Sequence, residues 1–115
     1  MITIYHNNRC RKSREGLAII EASGQPFTVV EYIKNPLSKS ELKTIIEKLN
    51  IAPIDLVRTS EVIWKDNYKG KITTDDEIID AMVTHPKLIE RPIVVTNTKA
   101  VIGRPPENIQ TLLAT

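Results

Sequence analysis

The sequence predicts an α/β fold: a four-stranded mixed sheet flanked by helices, with further helices inserted midway. Three observations carry this. A strand, helix, strand succession opens the chain, a run of helical segments bounded by capping signals fills its middle, and two short β-rich runs followed by a helix close it.

Ile2-Thr-Ile-Tyr5 alternates apolar and polar residues and reads as the first strand, followed by a polar turn through His6-Asn7-Asn8-Arg9. Cys10 then falls at a strand-to-helix junction. From Lys12 onward Leu17, Ala18, Ile19 and Ile20 fit a helix that ends near Ser23, with Gly24 as a left-handed terminator. Phe27 to Tyr32 is a second β-rich run, so the opening reads as a right-handed parallel βαβ unit. Ser38 with Glu41 makes a capping box before Leu42, Ile45, Ile46 and Leu49, which share one helix face. Pro53 suits the first turn of a short helix carrying Leu56 and Val57, with Arg58 near its end, and a weaker helical stretch covers Glu61 to Asn67. Thr74 with Glu77 repeats the capping box before Ile78, Ile79, Met82 and Val83, and Pro86 stops that helix just after His85. The helical insertion thus spans about residues 38–89. Pro92 to Thr96 and Ala100 to Ile102 read as an antiparallel hairpin across Asn97-Thr98-Lys99, and Pro105-Pro106 opens a last helix through Ile109, Leu112 and Leu113.

At 115 residues the chain has the size of one domain, residues 1–115, and no repeat or low-complexity linker marks a second. A composition of 41% hydrophobic and 26% charged residues is that of an ordinary globular protein. No apolar run reaches the roughly 18 residues that span a bilayer, and the N-terminus opens into a strand instead of a signal peptide, so the expectation is a cytoplasmic protein without a membrane partner. A net charge of +2 does not point to nucleic acid. Two histidines and one cysteine without ligand spacing argue against a metal site.

A single cysteine cannot form an internal disulfide; it is an inert buried residue, an intermolecular partner or a reactive thiol. Only the thiolate is nucleophilic, and an unperturbed thiol of pKa about 8.5 is mostly protonated at neutral pH. In Asn7-Asn8-Arg9-Cys10-Arg11-Lys12-Ser13-Arg14 the cysteine would face the free backbone N–H groups of a helix N-terminus among cationic side chains, and both lower a thiol pKa. Ser13 could turn its hydroxyl or its backbone N–H toward the sulfur or a bound anion. His6 suits a general acid, a charge beside the thiolate, or a polar strand end. A dithiol is excluded, because Ser13 stands where a Cys-x-x-Cys motif would have its second sulfur.

Tyr5-His-Asn-Asn-Arg-Cys10-Arg-Lys-Ser-Arg14, Tyr32-Ile-Lys-Asn-Pro36, His85-Pro-Lys-Leu-Ile-Glu-Arg-Pro-Ile-Val-Val95 and Ile102-Gly-Arg-Pro-Pro-Glu107 together resemble the glutaredoxin-coupled arsenate reductases of thioredoxin-like fold, closest to their short bacterial members. The resemblance spans nearly the whole chain. It implies Cys10 as nucleophile and Arg58, Arg91 and Arg104 as the arginines that bind the oxyanion and stabilise the thiolate. Arg11, Lys12 and Ser13 would add to substrate binding, with His6, Asn7 and Pro92 in support. Guanidinium forks suit tetrahedral oxyanions because they donate paired, planar hydrogen bonds and stay charged. The resemblance also implies a cis Arg91–Pro92 bond, arsenate as substrate, no bound cofactor, glutathione as co-substrate and glutaredoxin as partner. Arg11-Lys12 departs from a usual smaller, less basic pair, and the chain stops at Thr115 without the longer tail of plasmid-type members. Two other classes share the pattern: Spx-like thiol-sensing regulators that dock on RNA polymerase, whose usual Cys-x-x-Cys switch is missing here, and glutathione-dependent thiol reductases of another substrate.

Overall fold

A parallel pair of strands laid side by side by one helix begins the architecture. In a computed structural model that describes residues 1–71 and 74–114, β1 (Ile2–His6) pairs in parallel with β2 (Phe27–Glu31) through the crossover helix α1 (Arg11–Ala22). β1 also pairs antiparallel with β3 (Ile93–Val95), and β3 with β4 (Ala100–Ile102), giving the mixed sheet order β2-β1-β3-β4. This is the thioredoxin-like sheet that the sequence predicts, with β1 and β3 central. Their residues accordingly alternate or stay buried, and β3 is buried throughout as Ile93, Val94 and Val95.

The chain forms two compact units, residues 1–35 with 91–115 and residues 36–90. In the first, Ile2, Ile4, Ile20, Val94, Ile109 and Leu112 make a contiguous buried core between the sheet, α1 and α5 (Glu107–Leu113). The buried face of α1 is Ser13, Gly16 and Ile20, while Ala18 is exposed and Leu17 and Ile19 only half-buried. The apolar spacing predicts Ile20 on this face but not Ser13 or Gly16, and at Gly16 the face is set by close approach. A Cβ on Gly16 would lie 2.8 Å from Ile109 Cδ1 and 2.8 Å from Pro92 Cγ, and a Cβ on Gly103 would meet the same two atoms at the same distances. α1 ends at Gly24, whose φ of +73° is the left-handed value that glycine adopts without penalty.

The second unit holds α2 (Lys39–Leu49), α3 (Val62–Asn67) and α4 (Asp75–Thr84), with 3-10 turns at Pro53–Leu56 and Pro86–Leu88. Both predicted capping boxes close: Ser38 Oγ accepts from Glu41 N at 3.1 Å and Thr74 Oγ1 from Glu77 N at 3.2 Å, and each Glu carboxylate accepts from the cap residue's own N–H. Lys39 pairs with Asp76 and Asp80, and Lys43 with Asp76, so α2 and α4 are laced on their exposed side. An isolated antiparallel bridge between Val57 and Ile89 ties the two 3-10 segments together.

Candidate active site

The site grows from the turn between β1 and α1. Cys10 N donates to Asn7 O at 3.0 Å, Arg9 N donates to Asn7 Oδ1 at 3.1 Å, and Arg14 N donates to Cys10 O at 3.0 Å as the first helical bond. Asn7 therefore shapes the turn with both its main-chain and side-chain oxygens, the ordinary use of Asn in such a position. Cys10 is the N-cap residue of α1, in extended conformation, and only partly buried. No capping bond of ordinary length closes from its side chain to the helix, but the N–H groups of Ser13 and Lys12 favour its anion.

Two guanidinium groups complete the surroundings of the sulfur. Arg104, two residues after the end of β4, anchors its Nε on Arg91 O at 2.8 Å, which aims Nη2 at Cys10 Sγ, 3.6 Å away. Arg91, two residues before the start of β3, brings its charge to the same thiol. The hairpin register explains why: Ile93 pairs with Ile102, and Gly103 N donates to Pro92 O at 2.8 Å, so residues flanking the two strand ends are neighbours. Asn108 Nδ2 holds the segment after β4 by donating to Ile102 O at 3.1 Å and Arg104 O at 3.3 Å. The Arg91–Pro92 bond is cis, as the resemblance implies, and so is Arg104–Pro105.

Burial pushes the Cys10 thiol up, but the Ser13 N–H, the Arg91 guanidinium and the Lys12 N–H together outweigh it and hold the pKa below the ordinary thiol range. His6 behaves in the opposite sense. Burial pushes its imidazole down and the Arg14 charge adds to this, against a weaker upward pull from Glu31, its partner in strand register, and from the Ser13 main chain. The downward shift from an ordinary value near 6.5 favours the neutral imidazole at pH 7. Its Nδ1 lies 2.6 Å from Ser13 Oγ, which also accepts from Asn7 N at 3.0 Å. With Asn7 donating to the oxygen, we assign the hydroxyl proton to the bond with Nδ1 and the imidazole proton to Nε2.

The first unit thus brings together Cys10, Ser13, Arg91 and Arg104, with His6, Asn7 and Pro92 around them. It does not bring the side chains of Arg11 and Lys12 to the sulfur, as the sequence reading expected. Arg11 Nε lies 3.2 Å from Glu15 Oε1 and Lys12 Nζ 3.6 Å from Glu15 Oε2, on the exposed side of α1, because helical spacing of three and four residues stacks them over that carboxylate. Nor does the Ser13 hydroxyl point at the sulfur: Ser13 is fully buried, its oxygen spent on His6 and Asn7, and only its N–H serves the thiol. Arg58 belongs to the second unit, where Nη1 meets Glu61 Oε1 at 2.9 Å and Nε meets Glu90 Oε1 at 3.3 Å. The sequence alone gives Asn108, Gly16 and Gly103 no role, although Gly103 stands within the Ile102–Glu107 motif; a glycine inside a helical stretch is the signal that points to Gly16. Among the described residues no group of three or more His, Cys, Asp or Glu side chains could hold a metal ion.

The sequence matches the ArsC family over residues 5–112. The chain belongs to the ArsC family. An arsenate reductase of Neisseria meningitidis serogroup A is 41% identical to this ArsC chain over 114 residues, 97% of each. A solved chain from Yersinia pestis superposes with a TM-score of 0.91 at 46% identity, covering 96% of this ArsC chain and 99% of that one. The arsenate reductase from Vibrio cholerae gives 0.90 at 41% identity, over 96% of this chain and 95% of its own.

Proposed function

We propose that the protein reduces arsenate to arsenite, with Cys10 as the nucleophile and glutathione and glutaredoxin as the sources of electrons. The observation that carries this reading is the Cys10 sulfur at the start of α1 with Arg104 Nη2 3.6 Å away and the Arg91 charge beside it. A thiolate and a tetrahedral oxyanion need the same donors, so a pocket that holds one is prepared for the other. The buried Arg91 Nε has no hydrogen-bond partner among the described residues, and an arsenate oxygen would supply one.

In the proposed sequence the Cys10 thiolate attacks arsenic; a sulfur–arsenic bond forms, an arsenic–oxygen bond breaks, and the oxygen leaves as water with a proton from solvent. Glutathione then replaces a second oxygen, its thiol proton leaving with the adduct's hydroxyl as water, while arsenic stays pentavalent. A glutaredoxin thiol attacks the glutathione sulfur, and the electron pair of the sulfur–arsenic bond remains on arsenic, which becomes trivalent as the mixed disulfide forms. Water releases arsenite and restores the thiolate. By the resemblance Arg58 is the third guanidinium of the reaction, and the cytosol, where such thiols are kept reduced, is its compartment.

Steady-state turnover of arsenate with glutathione and glutaredoxin tests the reading. Wild type is expected to turn over and Cys10→Ser to be inactive. A wild-type protein that fails to reduce arsenate yet binds RNA polymerase would instead support the Spx-like regulator, and turnover of a different thiol substrate would support the other reductase class.

A further inference from the structure

Four cations surround the thiol in sequence, and the chemistry above uses none of their side chains. Arg9, Arg11, Lys12 and Arg14 are all exposed. Arg11 and Lys12 share the single carboxylate of Glu15, and Arg14 Nη1 donates to Asn8 O at 3.0 Å. Over residues 9–15 four cations less one carboxylate leave +3, whereas 16 basic and 14 acidic residues give the whole chain +2, so the remainder carries −1. The turn and the first turn of α1 beside the nucleophile therefore carry a dense local positive charge.

Exposed, flexible cations are poorly suited to fix a small tetrahedral ion, which Arg91 and Arg104 are placed to do with anchored guanidiniums. They suit a larger anion that must arrive, react and leave, because a local field raises encounter rates without demanding fixed geometry. We propose that Arg9, Arg11 and Lys12 form a docking rim for the carboxylates of an anionic thiol reductant of the glutathione class, separate from the groups that hold the oxyanion. The proposal rests on the reading of Cys10 as the arsenate-reducing thiolate and assigns a place to the second substrate. In this view the basic Arg11-Lys12 pair bears on the choice of reductant more than on arsenate.

The test uses the one cysteine as its own reporter. Second-order rates of Cys10 are measured with dithiobis(nitrobenzoate), a dianion, with neutral dithiodipyridine and with cationic cystamine; in each the thiolate forms a mixed disulfide and expels one thiolate. Comparing ratios cancels any change in thiol pKa, which would move all three rates together. In the variant Arg9→Gln/Arg11→Gln/Lys12→Gln the anionic-over-neutral ratio is expected to fall about tenfold and the cationic-over-neutral ratio to rise. Ratios within about twofold of wild type would overturn the proposal. Raising the salt from about 0.02 M to about 0.5 M should lower the anionic-over-neutral ratio of wild type itself, so a variant that fails to fold leaves the question decidable; a flat salt series also overturns it. In turnover assays the variant's KM for glutathione should rise relative to its KM for neutral dithiothreitol. Absence of arsenate turnover with either thiol would sink the arsenate reading, whereas unchanged disulfide ratios would sink the rim alone.

Discussion

Ser13 does two jobs with two different atoms. Its buried hydroxyl joins His6 to the Asn7 N–H, and its own N–H favours the Cys10 anion. Ser13→Ala would leave the Asn7 N–H and His6 Nδ1 without that oxygen, and equilibrium denaturation should register a loss of about 1–3 kcal/mol. The same contact sets a pH signature. Because the folded imidazole is shifted down, its contribution is fully present above the unfolded value of about 6.5 and is lost as pH falls toward the folded pKa. Wild type should thus lose stability relative to His6→Asn as pH falls below about 6.5, and parallel curves for the two would count against a neutral buried imidazole. For the oxyanion, Arg91→Ala is expected to raise the KM for arsenate at least tenfold, about 1.4 kcal/mol, in a chain that still folds. At this scale the sequence showed which residue types gather around Cys10, but not which atoms face it. Whether a serine presents its hydroxyl or its N–H, and whether Lys12 offers its ammonium or its main chain, depends on a helix phase that Glu15 and His6 settle only in three dimensions.

The elements were more legible than their contacts. Capping boxes at Ser38 and Thr74, the left-handed Gly24 and the hairpin across Asn97-Thr98-Lys99 are local devices, complete within a few residues, and each appears where the sequence put it. The apolar residues of α1 predict the burial of Ile20, but the helix also packs through Gly16, where the space left by Pro92 and Ile109 admits no side chain. That tight approach holds the helix bearing Cys10 against the proline that follows Arg91. Gly16→Ala gains helix propensity of about 1 kcal/mol, but its methyl would sit 2.8 Å from the Pro92 ring, which cannot swing away as the Ile109 methyl can. We expect net destabilisation of about 1–3 kcal/mol by thermal or chemical denaturation, together with reduced reactivity of Cys10; a more stable variant would show that the contact yields easily.

Across the whole molecule, the reading of the sheet succeeds because the chain's order of strands and helices leaves few ways to bury β1 and β3. What no local pattern could convey is long-range approach: Cys10 and Arg104 are 94 positions apart in sequence and meet because β1, β3 and β4 lie side by side. Arg58 shows the complementary limit, since no local pattern pairs it with Glu90, which comes within reach where Val57 and Ile89 bridge in the second unit. For Cys10 to act as the nucleophile, this convergence must keep the only sulfhydryl of the protein charged near neutrality. Alkylation by iodoacetamide, followed as a function of pH, reads that one group without interference. A rate that reaches half its plateau below about pH 8.5 is the predicted result, and a midpoint at or above that value would contradict it.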